Sequence, residues 1–326
     1  MDERCARILT EVKKVIVGKD DVLEKVLMTV LAGGHVLLED VPGVGKTTLA
    51  LAFSKAMNLA YNRVQFTPDT MASDVLGFSV YNKETGGFDY HRGAIICNFF
   101  LGDEINRTSA KTQAALLQAM EELKVTVDGK TYKLPEPFLC VATQNPLGSA
   151  GTHNLPDSQL DRFMVRLSMG YPTAQETLEI VRQREKESPL ENVRPVVTRA
   201  QILEMKGAVC DVHIADEVVL YASELCEATR SHAEIEQGVS PRAVLALVQL
   251  AKAKAFLEGR NYVSPQDINA LFADVCGHRV ILTPQARIKK RLPADILADV
   301  VKTVPTPNPG DQPALAKRGN VKSLFR

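Results

Sequence analysis

The segment from Leu37 to Thr48, LLEDVPGVGKTT, has the residue types and spacing of a phosphate-binding loop. Gly43 and Gly45 can turn tightly without a side chain in the way, so that backbone N–H groups point inward at phosphate oxygens. Lys46 would place a positive charge near the β- and γ-phosphates, and Thr47 would offer its hydroxyl to Mg²⁺. The segment therefore predicts a nucleotide site.

The loop departs from the usual pattern G-x-x-x-x-G-K-[ST] at its first position, which holds Asp40. We expect the change to be tolerated, because Asp is one of the few non-glycine residues that adopts left-handed backbone conformations at modest cost. HVLLE before the loop is a strand-like apolar run, and TTLALAFSKAM after it has helical spacing, so the phosphates would lie at a helix N-terminus. Taken alone, the loop is also compatible with a Gly/Pro turn that carries a chance lysine.

A phosphate loop of this kind requires an acidic residue for Mg²⁺ at the end of a second strand. The run NFFLGDE supplies Asp103 after apolar residues, with Glu104 beside it. Asp103 would hold the metal, directly or through water, and Glu104 would polarise the attacking water as a general base. The competing interpretation is a strand-end acidic pair that faces solvent. The phosphate loop upstream and the apolar strand leading into the pair disfavour it.

The composition is that of an ordinary globular protein. The 326 residues are enough for one large or two ordinary domains, with 45% hydrophobic and 24% charged residues. Lys+Arg and Asp+Glu both number 39, and this zero net charge argues against broad nonspecific binding to nucleic acid. The cysteines form no C-x-x-C pair, which favours structural thiols in a reducing compartment. No signal peptide or membrane-length apolar run is visible, so we expect a cytoplasmic protein without membrane insertion.

Residues 1–170 alternate strand-like apolar runs with helical patterns. The candidate strands are HVLLE, NRVQF, CNFFLGDE, FLCVATQ and RFMVRLSM. This alternation predicts an α/β fold, in which helices cover both faces of a parallel sheet. Two segments interrupt it and are predicted to be inserted β-hairpins: residues 78–95, around Gly86-Gly87, and residues 123–134, around Asp128-Gly129.

Residues 171–300 have a helical pattern, which predicts a small all-helical domain. Its helix starts are marked by capping-box spacing, as in Thr173 with Glu176, and by serine–proline pairs such as Ser240-Pro241. Residues 301–326 are rich in proline and basic side chains, and we predict a disordered tail. A solvated tail is preferred here to one with a binding role.

The order of these motifs resembles that of the AAA+ ATPases and, more narrowly, that of the MoxR family. VPGVGKT resembles their Walker A loop, and GDEINRT resembles their Walker B strand and its extension. CVATQNP resembles sensor 1, LPDSQLDRF the arginine-finger segment, GVSPRAVLAL the sensor 2 helix, and VIVGKDDV the N-terminal segment that lines the adenine. The hairpins resemble the helix-2 and presensor-1 insertions of the clade that holds MoxR proteins, magnesium chelatases and dynein. The resemblance covers nearly the whole chain to about residue 300.

This resemblance implies roles for individual residues. The catalytic set would be Glu104, Asn145 as sensor 1, Arg162 as the arginine finger and Arg242 as sensor 2. Arg107 is either a third phosphate-sensing arginine or a member of a structural ion pair. Mg²⁺ would be held by Thr47 and Asp103, and the nucleotide by Val17, Gly18, Pro42, Gly43, Val44, Gly45, Lys46, Thr47, Thr48 and Asp103.

The resemblance also implies an activity and partners. It implies a Mg²⁺-dependent ATPase, which converts ATP and water into ADP and phosphate, built on a P-loop AAA+ core with a C-terminal helical lid. MoxR proteins resemble chaperones that form rings of identical subunits, commonly hexamers. With von Willebrand A domain partners they mature client proteins or insert cofactors into them. For this chain, that role is implied by family resemblance only.

Two other functions remain open. A nucleic-acid-directed motor of the same clade would need a basic pore surface, but the hairpins carry charges of both signs, so nucleic acid is not an expected partner. An ATP-binding assembly scaffold with little turnover is disfavoured by Glu104. Stimulation of ATP turnover by nucleic acid would identify the motor, and a phosphate-release assay would identify the scaffold.

Overall fold

The computed structural model describes residues 1–144, 155–185 and 188–307. Asn145, the predicted sensor 1 residue, lies outside the described residues. The first part of the chain contains α1 (Glu3–Lys13), α2 (Asp20–Ala32), β1 (Val36–Glu39), α3 (Lys46–Ala56), β2 (Tyr61–Gln65), α4 (Ala72–Leu76), β3 (Gly77–Asn82), β4 (Gly87–Arg92), β5 (Phe99–Asp103), α5 (Ala110–Glu122), β6 (Lys124–Val127), β7 (Lys130–Lys133), β8 (Leu139–Gln144), α6 (Asp157–Leu160) and β9 (Val165–Leu167).

The remaining part of the chain is mainly helical. It contains α7 (Ala174–Arg184), α8 (Arg199–Cys210), α9 (Asp216–Ser231), β10 (Ile235–Gln237), α10 (Pro241–Leu257), α11 (Pro265–Cys276), β11 (Ile281–Leu282), α12 (Pro284–Ile288) and α13 (Pro293–Thr303). The capping box of Thr173 and Glu176 begins α7, and Ser240 caps α10 ahead of Pro241, so these predicted helix starts are confirmed. None of the described helices is long and apolar enough to cross a bilayer.

Within the described ranges, five parallel strands form the central sheet in the order β2-β5-β8-β1-β9. Each strand overlaps one of the five predicted apolar runs, and the predicted α/β fold is confirmed. Every residue of β5 is buried, because helices cover both faces of the sheet. The carboxyl ends of β1, β5 and β8 lie at one edge, where β1 leads into the phosphate loop and β5 ends at Asp103. Parallel sheets bind their ligands at this edge.

The two faces of the sheet pack against different parts of the chain. Leu38 and Phe99 belong to a large core that continues through the helical region as far as Val300. Leu37 and Phe100 belong to a second core, which includes the buried face of α5. Full burial of one such side chain contributes about 1.5–3 kcal/mol. Because the larger core is continuous, the helical region is docked on the sheet through apolar packing.

Two antiparallel hairpins leave the α/β core. β3 pairs with β4, with Tyr81 opposite Phe88, and β6 pairs with β7. The hairpins meet where Tyr90 stacks on Tyr132, with 4.0 Å between the ring centroids. Most residues of the four strands are exposed or half-buried. The hairpins therefore add surface to the protein and little core.

Candidate nucleotide-binding site

A cavity of about 390 Å³ lies at the carboxyl edge of the sheet. The phosphate loop, the start of α3 and the end of β5 all line this cavity. The sequence analysis predicted that these three segments form one site. Two further residues come from β2, which sequence reasoning did not connect with the site. The lining residues are Pro42, Gly43, Gly45, Lys46, Thr47, Thr48, Arg63, Gln65, Asp103 and Glu104.

The phosphate loop has the backbone that its glycines predicted. Gly43 has φ +88° and Gly45 has φ +99°, both in the left-handed region that glycine adopts without steric cost. Gly45 is the N-cap of α3, so the first turn of this helix opens onto the cavity. The free N–H groups of such a turn, together with the helix dipole, favour phosphate at this position.

Lys46 is the buried cation of the cavity. Its ammonium donates to the backbone carbonyl oxygen of Asp40 over 2.7 Å, and the residue is 7% exposed. Burial lowers the pKa of Lys46, although nearby Asp40, Asp103 and Glu104 act in the opposite direction. A phosphate would replace one carbonyl partner by several charged oxygens, which strengthens the hydrogen bonds of the ammonium.

Asp40 does not adopt the left-handed conformation that we expected at this position, so that expectation was wrong. Asp40 is not among the described residues with positive φ, so a left-handed turn is not the reason for its presence. Its buried carboxylate instead accepts hydrogen bonds from the Ser168 hydroxyl at 2.7 Å and from the N–H groups of Met169 at 2.6 Å and Gly170 at 3.0 Å. Asp40 thereby ties the phosphate loop to the segment that connects β9 with the helical region.

The acidic pair at the end of β5 is held by Thr143 of β8. The Thr143 hydroxyl donates to Asp103 Oδ1 over 2.6 Å and accepts the Glu104 N–H at 2.9 Å. Glu104 has φ +57°, a turn that directs the chain out of the strand. Its Oε2 accepts from Arg107 Nη1 at 2.8 Å. Arg107 therefore forms an ion pair with the predicted general base.

The oxygen atoms around the cavity suit Mg²⁺ held together with a nucleotide. Thr47 and Asp103 both line the cavity, and hydroxyl and carboxylate oxygens are typical Mg²⁺ ligands. Among the described residues, no group of three or more His, Cys, Asp or Glu could hold a metal ion. Because Mg²⁺ is usually bound by one or two carboxylates plus substrate phosphates, this limited set fits a metal that arrives with ATP.

A second cavity of about 190 Å³ shares three residues of the loop, Gly43, Gly45 and Thr48, with the first. Its other lining residues are mostly apolar. They come from the N-terminal segment, the phosphate loop, the segment that follows β9, and α7: Val15, Ile16, Val17, Lys19, Val44, Met169, Pro172, Thr177 and Ile180. An apolar pocket beside a phosphate cavity suits a nucleotide base. Of the residues predicted to hold the nucleotide, only Gly18 lines neither cavity.

Gly18 instead allows α7 to approach the N-terminal segment. It has φ +70°, and a Cβ at this position would lie 1.8 Å from Glu176 Oε1. Glu176 is also the capping-box acid of α7 and pairs with Lys19 at 3.4 Å. Gly18 therefore shapes the wall of the apolar pocket through the packing of its neighbours.

Arg162 and Arg242 lie together, but they do not line either of these two cavities. They line a third cavity of about 280 Å³ and both contact Glu121, near the end of α5. Arg162 Nε is 3.2 Å from Glu121 Oε2, and Arg242 Nη2 donates to Glu121 Oε1 over 2.6 Å. Sequence reasoning missed Glu121, because it lies outside all of the motifs.

Arg279 holds the segment that carries Arg162. Its side chain is 3% exposed, and its Nε donates to Asp161 Oδ1 over 2.7 Å. Its Nη2 donates to the carbonyl oxygens of Asp161 at 3.1 Å and Phe163 at 2.6 Å. The backbone on both sides of Arg162 is thus fixed to the helical region, while the Arg162 side chain remains about one quarter exposed, at 27%.

The chain is similar to known proteins over most of its length. Residues 35–165 match the ATPase family associated with various cellular activities (AAA), and residues 227–300 match an AAA lid domain. YeaC, an uncharacterized protein of Bacillus subtilis, is 44% identical over 92% of this chain and 94% of its own length. Chaperone MoxR1 of Mycobacterium tuberculosis is 36% identical over 92% of this chain and 82% of its own. The crystal structure of a Cytophaga hutchinsonii protein assigned as an ATPase has a TM-score of 0.87 and 36% identity, covering 94% of this chain and 95% of that one.

Proposed function

Because the chain belongs to the MoxR family of AAA+ ATPases, we propose that it hydrolyses ATP in a Mg²⁺-dependent reaction and uses the energy to remodel partner proteins. The observation that carries this proposal is the shared cavity of Lys46, Thr47, Asp103 and Glu104. A phosphate-binding cation, two metal-facing oxygen groups and a carboxylate base are the parts that phosphoryl transfer to water requires.

The residues of the cavity have separate roles in the proposed hydrolysis of ATP. Lys46 and the N–H groups that begin α3 bind the β- and γ-phosphates. Thr47 and Asp103 would hold Mg²⁺, which neutralises charge on the phosphates. Glu104 orients a water molecule, accepts one of its protons as the oxygen attacks the γ-phosphorus, and ADP leaves with the electrons of the broken bond. Asn145 is proposed to orient the same water, and it lies outside the described residues.

A ring of identical subunits, six as in the family, would complete the site. Arg162 and Arg242 share Glu121 and do not line the phosphate cavity of their own chain. Both side chains remain partly exposed, at 27% and 47%. This arrangement supports a site to which a neighbouring subunit contributes the arginines. Their planar, permanently charged groups suit phosphate oxygens.

Partner proteins are proposed to bind at the hairpins. Phe78, Tyr81 and Phe88 of the first hairpin are 50%, 54% and 63% exposed. Exposed aromatic side chains on one small element are typical of protein contact surfaces. The chaperone role follows the name of the Mycobacterium tuberculosis relative. Cofactor insertion or maturation with a von Willebrand A domain partner is proposed on the family resemblance alone.

The ATPase proposal predicts phosphate release that requires Mg²⁺ and Lys46. Lys46→Ala should weaken nucleotide binding strongly, because it removes the buried charge that faces the phosphates. Lys55→Ala is the matched control, since Lys55 is an exposed lysine at the end of the same helix. The measurements are phosphate release with and without Mg²⁺ and titration with a fluorescent ATP analogue. Mg²⁺-independent release, or wild-type binding by Lys46→Ala, would contradict the proposal.

The hairpin proposal predicts a loss of partner response without a loss of stability. Replacing residues 83–86 by Asn-Gly shortens the first tip and keeps the pairing of Asn82 with Gly87. Asp128→Asn together with Lys130→Ser changes the second tip without removing a residue, so the strand register and the stacked pair of Tyr90 and Tyr132 are kept. We expect the melting temperature to change by less than about 2 °C, because exposed tips contribute little to unfolding free energy. Turnover stimulated by a partner captured with Glu104→Gln should be lost, while basal turnover is retained.

A pair of substitutions controls for the exposed aromatic surface. Phe88→Ser should weaken partner stimulation, whereas Tyr262→Ser should not, although Tyr262 is similarly exposed at 53% in the helical region. A large fall in melting temperature after the changes at the tips would instead mean that the hairpins are structural elements.

A further inference from the structure

Arg63 of β2 lies in the phosphate cavity of its own chain. β2 pairs with β5, with Arg63 opposite Leu101 and Gln65 opposite Asp103. Since alternate residues of a strand share a face, Arg63 and Gln65 lie on one side of β2, and both line the cavity. Arg63 Nη2 donates to Asp103 Oδ2 and to Gln65 Oε1, each over 2.6 Å.

Each carboxylate oxygen of Asp103 therefore accepts a hydrogen bond from the protein. Oδ1 accepts from the Thr143 hydroxyl at 2.6 Å, and Oδ2 accepts from Arg63. Thr143 is fully buried and also accepts the Glu104 N–H, so it is fixed on two sides. The Arg63 side chain is long and 42% exposed. A metal ion that needs an oxygen of Asp103 would displace Arg63 more easily than Thr143.

Arg63 also has donors to spare for a phosphate. A guanidinium has five N–H donors, and Nη2 makes both of the hydrogen bonds described. Its Nε and Nη1 have no acceptor among the residues that the structure describes. They belong to a group that lines the same cavity as Lys46 and the phosphate loop, where the terminal phosphate of ATP is proposed to bind. Phosphate oxygens are preferred partners of a guanidinium fork.

We propose that Arg63 exchanges the carboxylate of Asp103 for the terminal phosphate of ATP when the metal-bound nucleotide enters its own subunit. This inference rests on the proposed ATPase function and adds to it a cation supplied in cis by β2. Two effects follow. Arg63 competes with the metal for Asp103 when no terminal phosphate is present, and it binds that phosphate once it is.

Arg63→Ala tests both effects. With ADP, the concentration of metal at half-saturation should fall about tenfold, which corresponds to removing one competing charge-assisted hydrogen bond. The probe is Mn²⁺, followed by electron paramagnetic resonance, so that no turnover is required. With ATP, kcat should fall about 10²-fold, as for the loss of one preorganised donor to a developing charge. Because a structural defect would weaken both metal binding and turnover, these opposite changes identify the exchange.

Two further variants make the test specific. Arg63→Lys keeps the charge and should fall between wild type and Arg63→Ala in both measurements, since an ammonium lacks the planar fork. Arg7→Ala should leave both unchanged, because Arg7 is exposed on α1 and does not line the cavity. If the Mn²⁺ concentration at half-saturation is unchanged or higher in Arg63→Ala, Arg63 does not compete with the metal for Asp103. If kcat is unchanged, Arg63 does not bind the terminal phosphate. If wild-type protein shows no ATP turnover, the proposed function is wrong. The Mn²⁺ titration still tests whether the hydrogen bond from Arg63 to Asp103 weakens metal binding.

Discussion

Glu104→Gln should bind ATP as the wild type does and reduce its turnover about 10²–10⁴-fold, the usual contribution of a general base. The amide keeps the shape of the side chain, and Lys46 and Thr47 still face the phosphates in the same cavity. It cannot accept a proton from water, so binding and chemistry should separate. The measurements are phosphate release under saturating ATP and a binding titration with a fluorescent ATP analogue.

The ion pair of Glu104 with Arg107 requires a control, because the substitution also removes a charge from that pair. Thermal melting shows whether the variant remains folded, and Arg107→Ala breaks the same pair while keeping the base. Glu224→Gln, at an exposed position of α9, should leave turnover unchanged. Turnover by Glu104→Gln at the wild-type rate would show that the assigned role is wrong.

The parts of the site that the sequence predicted depend on local spacing. Gly43, Gly45 and Lys46 are close in the chain, and the tight turn that they require can be read from residue types alone. Asp103 follows a run of apolar residues, and a buried strand of a parallel sheet must end at the ligand-binding edge. The strand-like runs and the phosphate loop together were therefore enough to predict the α/β fold and the main cavity.

The parts that the sequence did not predict depend on contacts between distant segments. Asp40 binds the Ser168 hydroxyl, 128 residues further along the chain, and Arg63 binds Asp103 across 40 residues. Arg242 reaches Glu121 over 121 residues. These pairs depend on strand order and on how the helical region docks, neither of which leaves a periodic pattern near the residues concerned. From the sequence, Asp40 at the usual glycine position therefore looked like a local departure from the phosphate-loop pattern. In the structure, its carboxylate binds a segment that is distant in the chain.

Arg162→Ala should slow ATP hydrolysis by about 10³-fold or more, while nucleotide binding is affected far less than by Lys46→Ala. An arginine finger offsets charge that develops in the transition state, so its loss affects turnover most. The fold should be retained, because Arg279 holds the backbone around Arg162 through Asp161 and Phe163. Phosphate release, nucleotide titration and thermal melting of the variant measure the three effects. Normal hydrolysis by Arg162→Ala alone would end the finger assignment.

The position of Arg162 and Arg242 around Glu121, away from the phosphate cavity of their own chain, leads to a stricter expectation for mixed rings. Arg162→Ala and Lys46→Ala should each be inactive alone. In a mixed ring, some interfaces pair an intact Lys46 with an intact Arg162 from the neighbour, and these should recover part of the activity. Fluorescence transfer between labelled subunits must first show that they exchange, and mixing at several ratios separates recovery from strong cooperativity. If the subunits exchange but ATPase activity does not recover at any mixing ratio, Arg162 acts within its own subunit or only stabilises the fold.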